Sequence, residues 1–314
     1  MLNFGLIGAA GYIAPRHVKA IKDTRNRLVC ATDPHDSVGM LDKYFWDVKF
    51  FPEIERFDRF LEKRRRGPAE SRMHYITICS PNYLHDAHIR MALRVNAHAL
   101  CEKPVVVNPW NLDALQLLEK EYDTNIYTVL QLRVHPALLA LKEQIDKTVS
   151  DRRYQVELTY ITSRGLWYLS SWKGQEEKSG GLTLNIGIHF FDMLIWLFGN
   201  PVHSEVHIRD SQRAAGFIEL KNADVRWYLS VDHTDLPFEL EPGVKTTYRS
   251  ITVDGNEIEF TGGFTDLHTR VYEQTLEGRG FGLDDARPSL ELVYEIRNCL
   301  LTTFPDSKHP MVKF

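Results

Sequence analysis

The chain has 314 residues, of which 43% are hydrophobic and 25% charged, and a formal net charge of -4. That length allows about two domains, and the balance is that of an ordinary folded protein with no global basic field for nucleic acid. No basic segment precedes the short apolar stretch at the N-terminus, so it reads as part of the fold and neither as a signal nor as a membrane span; a cytoplasmic setting is expected.

Leu2 to Ile7 reads as a strand, Gly8-Ala9-Ala10-Gly11-Tyr12-Ile13-Ala14 as a glycine turn, and Arg16 to Lys22 as a helix. That order describes a dinucleotide pocket. Glycine permits a sharp turn and lets amide groups approach a pyrophosphate, while the following helix offers its positive end to the phosphates. The spacing departs from G-x-G-x-x-G, because Gly8 and Gly11 are three apart and Ala14 takes the third small position. Arg27 to Asp33 reads as the next strand with an acid at its end, 25 residues past Gly8. Such an acid accepts hydrogen bonds from the adenosine ribose and repels a 2′-phosphate, which favours NAD over NADP. The plainer alternative is a solvated turn acid in Asp33-Pro34-His35-Asp36.

Arg64-Arg65-Arg66, followed by Gly67-Pro68, reads as the exposed end of a helix or loop. A strand over Tyr75 to Cys79 runs into Ser80-Pro81-Asn82, a helix spans Asp86 to Arg94, and Ala97 to Cys101 is the next strand. Asn108 can cap a helix over Leu112 to Leu118, ahead of a strand at Ile126 to Leu130. Alternation of this kind predicts a parallel, doubly wound sheet, with Gly8 to Ala14, Asp33, Ser80-Pro81-Asn82 and Glu102-Lys103-Pro104 at the carboxyl ends of its strands, where ligands bind.

A helix from Pro136 to about Lys147 and a strand from Tyr154 to Tyr160 lead into alternating segments at Ala214 to Leu220, Val225 to Val231, Ser250 to Val253 and Glu257 to Phe260. They predict a largely antiparallel sheet with one open face. The expected fold class is therefore α/β: an N-terminal doubly wound domain over residues 1–128 and a C-terminal α+β domain over 129–314. An open face must be covered, which predicts a homodimer or homotetramer. The four cysteines, Cys30, Cys79, Cys101 and Cys299, show no C-x-x-C spacing and read as reduced packing residues.

Leu182 to Phe198, opened by Ser179-Gly180-Gly181, is apolar nearly all round and reads as a buried helix. Asn185, His189 and Asp192 recur in it at intervals of four and three, so all three face one way and need polar partners. A ligand cavity supplies them, as does a neighbouring strand. Lys103 ends a strand beside Pro104, a proline expected to hold the backbone extended. Oxidation of a secondary alcohol needs a base for the hydroxyl proton and a cation that lowers its pKa, roles that Lys103 and His189 can divide. Taken singly, His189 reads equally well as a satisfied core histidine, and Lys103 as an ion-pair partner of Glu102. His85 and His88 have a spacing that can hold a metal, but no third ligand accompanies them, and no metal is expected.

The glycine turn at Gly8, Ser80-Pro81-Asn82 with His85, Glu102-Lys103-Pro104, and Gly180-Gly181 through Asn185 and His189 to Asp192 resemble the glucose-fructose oxidoreductase / inositol dehydrogenase (Gfo/Idh/MocA) family. The resemblance implies a Rossmann domain that binds NAD or NADP, a C-terminal domain whose open sheet often forms an oligomer contact, and Lys103 with His189 as the catalytic pair. It also implies cofactor contacts through Gly8, Ala10, Gly11, Tyr12, Ile13, Asp33, Ser80, Pro81, Asn82, His85, Glu102, Lys103 and Gln131. The family often has aspartate where this chain has Asn185, which can still hold a substrate by hydrogen bonds.

Leu130 to Pro136, Trp167-Tyr168 with Ser171 to Gly174, and Asn185 to Met193 look like the UDP-N-acetylglucosaminuronate 3-dehydrogenases of bacterial surface-polysaccharide (O-antigen) assembly. That likeness implies a UDP-sugar substrate, with 2-oxoglutarate as a second substrate that reoxidises the cofactor. Its pyrophosphate and carboxylate want Arg or Lys and its rings want aromatic walls, types supplied by Lys103, Arg133, Arg164, Trp167, Tyr168, Lys173, Asn185 and His189. The rival readings are a dehydrogenase of a free sugar or inositol, a glycosidase that uses bound NAD transiently, and a non-catalytic NAD-binding regulator.

Overall fold

Near-continuous apolar runs form the strands of the first sheet, as a parallel sheet covered on both faces requires. The computed structural model describes residues 1–148, 152–239, 246–258, 266–303 and 306–313. The chain divides into two compact units, Met1–Gln131 with Asp266–Arg287, and Leu132–Thr265 with Pro288–Phe314.

In the first unit the order is β1 (Asn3–Ile7), α1 (Ala14–Asp23), β2 (Arg27–Thr32), β3 (Lys49–Phe51), α2 (Ile54–Arg66), β4 (Tyr75–Ile78), α3 (His85–Arg94), β5 (His98–Cys101), α4 (Trp110–Tyr122) and β6 (Ile126–Thr128). The six strands are parallel and lie in the order β3-β2-β1-β4-β5-β6. Strand order therefore reverses between β1 and β4, and the crevice beyond the carboxyl ends at such a point is where open α/β sheets bind ligands. One expectation fails locally: α4 has Pro109 at its N-cap with no side-chain bond, and Asn108 contributes only its carbonyl, which accepts from Asn111 N at 3.2 Å.

The second unit begins with α5 (Pro136–Lys147) and β7 (Tyr154–Thr162), followed by the short helices α6 (Trp167–Ser170) and α7 (Glu176–Ser179). Next come α8 (Ile188–Phe198), β8 (Pro201–Arg209), β9 (Arg213–Leu220), β10 (Ala223–Ser230), β11 (Thr247–Val253) and β12 (Asn256–Glu257). The sheet runs β12-β11-β7-β10-β9-β8, with β7 and β10 parallel and the other pairs antiparallel. The expected strand Glu257 to Phe260 starts in β12 and then leaves the described residues.

One face of this sheet carries α8: Phe191 meets Trp227 edge-on at 5.2 Å, and Phe190 meets Tyr160 at 4.7 Å. The segment Glu176–Phe198 is apolar enough to cross a membrane by length and composition, but 72% of its most apolar window is buried inside the protein. The opposite face is less open than expected. His309 stacks on Tyr228 at 5.7 Å and bonds Thr159 Oγ1 at 3.1 Å, and Val312 joins a cluster with Ile161, Ala215, Tyr228 and Leu236. The chain's own C-terminal stretch thus closes part of it.

Two further helices follow, α9 (Leu267–Leu276) and α10 (Leu283–Asn298). A linear division after residue 128 misplaces Asp266–Arg287, which belongs to the first unit. The reason is packing: Tyr272 of α9 stacks on Phe4 at 5.9 Å and its hydroxyl bonds Thr77 Oγ1 at 2.8 Å. The start of α10 is tied down in the same unit by Gln116 to Asp284 at 2.6 Å and Arg287 to Asp113 at 2.8 Å.

Candidate active site

The glycine turn is held at close quarters. Gly8 has φ +88, and a Cβ on it would lie 2.6 Å from the Cys79 carbonyl carbon and 2.7 Å from Ser80 N. Only glycine fits against the end of β4 in that left-handed conformation. Gly8 N and Ala9 N donate to Thr32 O at 2.9 and 3.2 Å, and Gly11 N donates to Gly8 O at 3.1 Å. Ala10 N donates to Asp33 Oδ2 at 3.0 Å, while Asp33 Oδ1 accepts from His35 N at 2.9 Å. Asp33 is accordingly buried at the end of β2 and braces the turn, which excludes the solvated-turn alternative. The Tyr12 ring is 90% exposed, and α1 starts two residues later with its amide ends facing this loop.

The loop after β5 carries Glu102, Lys103 and Pro104, and the Lys103–Pro104 bond is cis. Lys103 is half-buried. The side chains of Glu102 and His85 both have partners inside the protein. His85 is fully buried, with Nδ1 2.7 Å from Pro104 O and Nε2 2.8 Å from Ser80 O, so it ties the loop after β5 to the loop after β4. Burial lowers the pKa of this ring, and the two carbonyl contacts and the Glu102 carboxylate pull it back up. His88 turns elsewhere, to Ser80 Oγ at 2.8 Å, and burial pushes its pKa down to about 4.

Glu102 is turned into the protein. His17 Nε2 and His268 Nε2 both lie against its Oε1, at 2.9 and 3.0 Å, and Lys103 N donates to Oε2 at 3.3 Å. Sequence reasoning missed His17, His268 and Tyr272. No spacing announces them, because α1, the loop after β5 and α9 meet only once the unit is folded.

In the second unit the apolar helix does not start as a plain α-helix. Gly180 and Gly181 have φ +79 and +74, and Thr183–Gly187 forms a π turn ahead of α8. The single stripe expected for Asn185, His189 and Asp192 is therefore broken up. Asn185 and His189 are half-buried, and Asn185 Nδ2 donates to the Tyr168 hydroxyl at 2.8 Å. Asp192 instead pairs with Arg133, whose Nε and Nη2 reach its two oxygens at 3.0 and 2.7 Å. The side chains of this pair are 9% and 3% exposed, so the Arg133 charge is matched inside the protein by Asp192.

Among the other expected substrate residues, Trp167, Tyr168 and Lys173 come together. The Lys173 ammonium stands 5.6 Å from the centre of the Trp167 ring and 4.6 Å from that of Trp172, and Trp167 meets Tyr168 at 5.9 Å. Burial and the Arg164 cation together hold the Lys173 amine below the ordinary lysine range. Arg164 itself is exposed. Tyr168 and Lys173 also line a cavity of about 270 Å³ with Gly180, Gly181, Arg209 and Arg297. Two neighbouring cations, Lys173 and Arg164, form a place where an anion is stabilised.

Comparison with known proteins gives consistent results. The profile of the oxidoreductase family, NAD-binding Rossmann fold, matches residues 2–129, and that of its C-terminal alpha/beta domain matches residues 142–302. Two solved structures of the WlbA (WbpB) dehydrogenase from Thermus thermophilus each cover 99% of this chain and 100% of their own with a TM-score of 0.93. One, in complex with NAD and alpha-ketoglutarate, is 50% identical, and the other, in complex with NAD and UDP-GlcNAcA, is 49% identical. The D-glucoside 3-dehydrogenase of Escherichia coli (strain K12) is 27% identical over 144 residues, which is 44% of this chain and only 39% of that enzyme. The chain belongs to the Gfo/Idh/MocA family of NAD-binding oxidoreductases.

Proposed function

We propose that this protein is an NAD-dependent dehydrogenase that oxidises the 3-hydroxyl of UDP-N-acetylglucosaminuronic acid to the 3-keto sugar, a step in bacterial surface-polysaccharide assembly. The observation that carries this reading is the 49% identity over 99% of the chain to the Thermus thermophilus dehydrogenase in complex with NAD and UDP-GlcNAcA.

The first unit fits a dinucleotide. At Gly8 the turn packs directly against the backbone of Cys79 and Ser80, where no side chain fits, and the Asp33 carboxylate sits beside it. The residues that would hold the cofactor are Gly8, Ala10, Gly11, Tyr12, Ile13, Asp33, Ser80, Pro81, Asn82 and Gln131. When bound, NAD supplies the hydride acceptor. Lys103 and His189 divide the acid-base work: one takes the hydroxyl proton while the other stabilises the developing alkoxide. Asn185 orients the substrate, and Lys173 with Arg164 answers its negative charge. The reading includes reduction of 2-oxoglutarate as the step that reoxidises the cofactor, supported by the Thermus complex with NAD and alpha-ketoglutarate, and self-association as a homodimer or homotetramer.

The test is to incubate the purified protein with UDP-N-acetylglucosaminuronic acid and NAD, with and without 2-oxoglutarate, and to look for 3-keto product by mass spectrometry. Product is expected in at least one of these mixtures, and its absence from both rejects the reading. The E. coli relative motivates a second reading, oxidation of a free sugar, which predicts turnover without any nucleotide on the substrate.

Lys173→Met should raise the substrate KM roughly tenfold or more while changing kcat little, since a hydrogen bond to a charged group contributes about 1.5–3 kcal/mol. The folded-state pKa of this amine is lowered, so its charge is lost at a lower pH than an ordinary lysine's. KM of the parent enzyme should therefore climb as pH rises through that lowered value, and KM of Lys173→Met should not. Parallel pH profiles would remove Lys173 from the anion site.

A further inference from the structure

The first unit contains a buried polar cluster that the chemistry described above leaves unused. His17 of α1 and His268 of α9 are 0% and 2% exposed, and the Nε2 of each lies against Glu102 Oε1, at 2.9 and 3.0 Å. The two rings meet edge-on at 4.8 Å. On its other side His17 Nδ1 lies 2.9 Å from the Tyr272 hydroxyl, which in turn lies 2.8 Å from Thr77 Oγ1 at the end of β4. Two imidazoles thus converge on one carboxylate oxygen, and Tyr272 and Thr77 extend the network behind His17. The other oxygen of that carboxylate accepts the backbone N–H of Lys103, at 3.3 Å.

Burying this many polar groups costs free energy unless each is matched, and here each member has a partner. Burial works to raise the Glu102 carboxyl, and the hydrogen bonds from His17 and His268 override it, holding the group well below the usual carboxylate range. Burial lowers the pKa of His17, which keeps that ring neutral and able to donate from Nε2. The same three residues are a possible ligand set for a metal ion. Both nitrogens, however, aim at a single oxygen at hydrogen-bond distance, and the proton each donates stands where a metal would have to bind.

We propose that His17, His268 and Tyr272 are positioning residues for Lys103: by clamping Oε1 of Glu102 they fix Oε2 on the Lys103 amide and so set the backbone from which the catalytic amine projects. The proposal rests on the reading of Lys103 as catalytic. Its unusual feature is that α9, contributed about 165 residues after Lys103 in sequence, completes the loop after β5. A carboxylate held by only one histidine could rotate about its terminal torsion, which is broad, and release the amide.

The experiment compares His268→Leu with His268→Gln, which keeps an N–H donor, and uses Tyr272→Phe as a milder third variant should His268→Leu fail to fold. Amide hydrogen exchange of the intact protein is read by mass spectrometry over peptides spanning residues 99–106. In parallel, kcat and KM are measured with UDP-N-acetylglucosaminuronic acid and NAD. His268→Leu should lose protection locally at Lys103, with the rest of the unit unchanged, and kcat should fall at least about tenfold while KM moves less than about twofold. His268→Gln should recover most of both. Protection and kcat equal to the parent in both His268→Leu and Tyr272→Phe would overturn the proposal, as would exchange rising evenly across the unit or a stoichiometric metal in the purified protein that is lost on His268→Leu. If the parent enzyme itself gives no product with this sugar nucleotide, the substrate reading falls, and the exchange experiment still judges the clamp.

Discussion

Lys103→Met should form NADH from UDP-N-acetylglucosaminuronic acid at least about a hundredfold more slowly than the parent enzyme, the lower part of the range for lost acid-base catalysis. Methionine keeps the apolar stem and removes only the amine. The Lys103 backbone N–H, which donates to Glu102 at 3.3 Å, is unaffected by the exchange, so the loop after β5 should keep its shape. NAD affinity and the thermal midpoint should therefore stay close to those of the parent, and the loss should appear in kcat. His189→Ala should cost at least about tenfold by the same measure. On the proposed division of one proton transfer between the two groups, the double variant should lose much less than the product of the single losses. Stopped-flow absorbance of NADH at saturating substrate reads all three. A non-catalytic NAD-binding protein would tolerate both substitutions, and unchanged rates in both single variants would remove the proposed pair.

The sequence shows the first sheet clearly because its signals are local. An apolar strand, a glycine turn and a helix start lie within about twenty residues, and the structure places them at β1, Gly8 and α1 as the pattern requires. The same holds for α5, whose observed bounds, Pro136–Lys147, follow from a proline at the first turn and the apolar spacing behind it. Legibility ends where a residue's partner is remote. The strand β8 is half exposed and shows little alternation, so periodicity alone does not reveal it. The residues from Asp266 to Arg287 carry an ordinary helical pattern, and nothing local says that Tyr272 will stack on Phe4 some 270 positions earlier. The interval of Asn185, His189 and Asp192 presumes 3.6 residues per turn, and the π turn at Thr183–Gly187 breaks that assumption. Residue type alone marks Arg133 as a cation for a substrate, and only the fold shows that its guanidinium pairs with Asp192.

That pairing leads to the largest expected effect on stability. Arg133 and Asp192 join through two hydrogen bonds with their side chains 9% and 3% exposed, so removing either partner leaves an uncompensated charge in the interior of the second unit. Breaking a buried pair of this kind costs about 3–5 kcal/mol, whereas replacing both partners by apolar groups of similar size is often neutral. Arg133→Met and Asp192→Leu should each lower the urea midpoint of unfolding by an amount equivalent to roughly 3 kcal/mol or more at unchanged slope, and the double variant should regain most of that loss. The alternative, in which Arg133 chiefly grips a substrate carboxylate, predicts the opposite pattern. Arg133→Met would then raise KM strongly and leave the midpoint in place, and adding Asp192→Leu would restore nothing. Asp192 lies one helical turn beyond His189 on α8, so loss of the pair should also free that turn and lower kcat in both single variants more than in the double. A double variant as destabilised as the sum of its parts would mean the two side chains act independently, and the ion pair would lose its place as the anchor of α8.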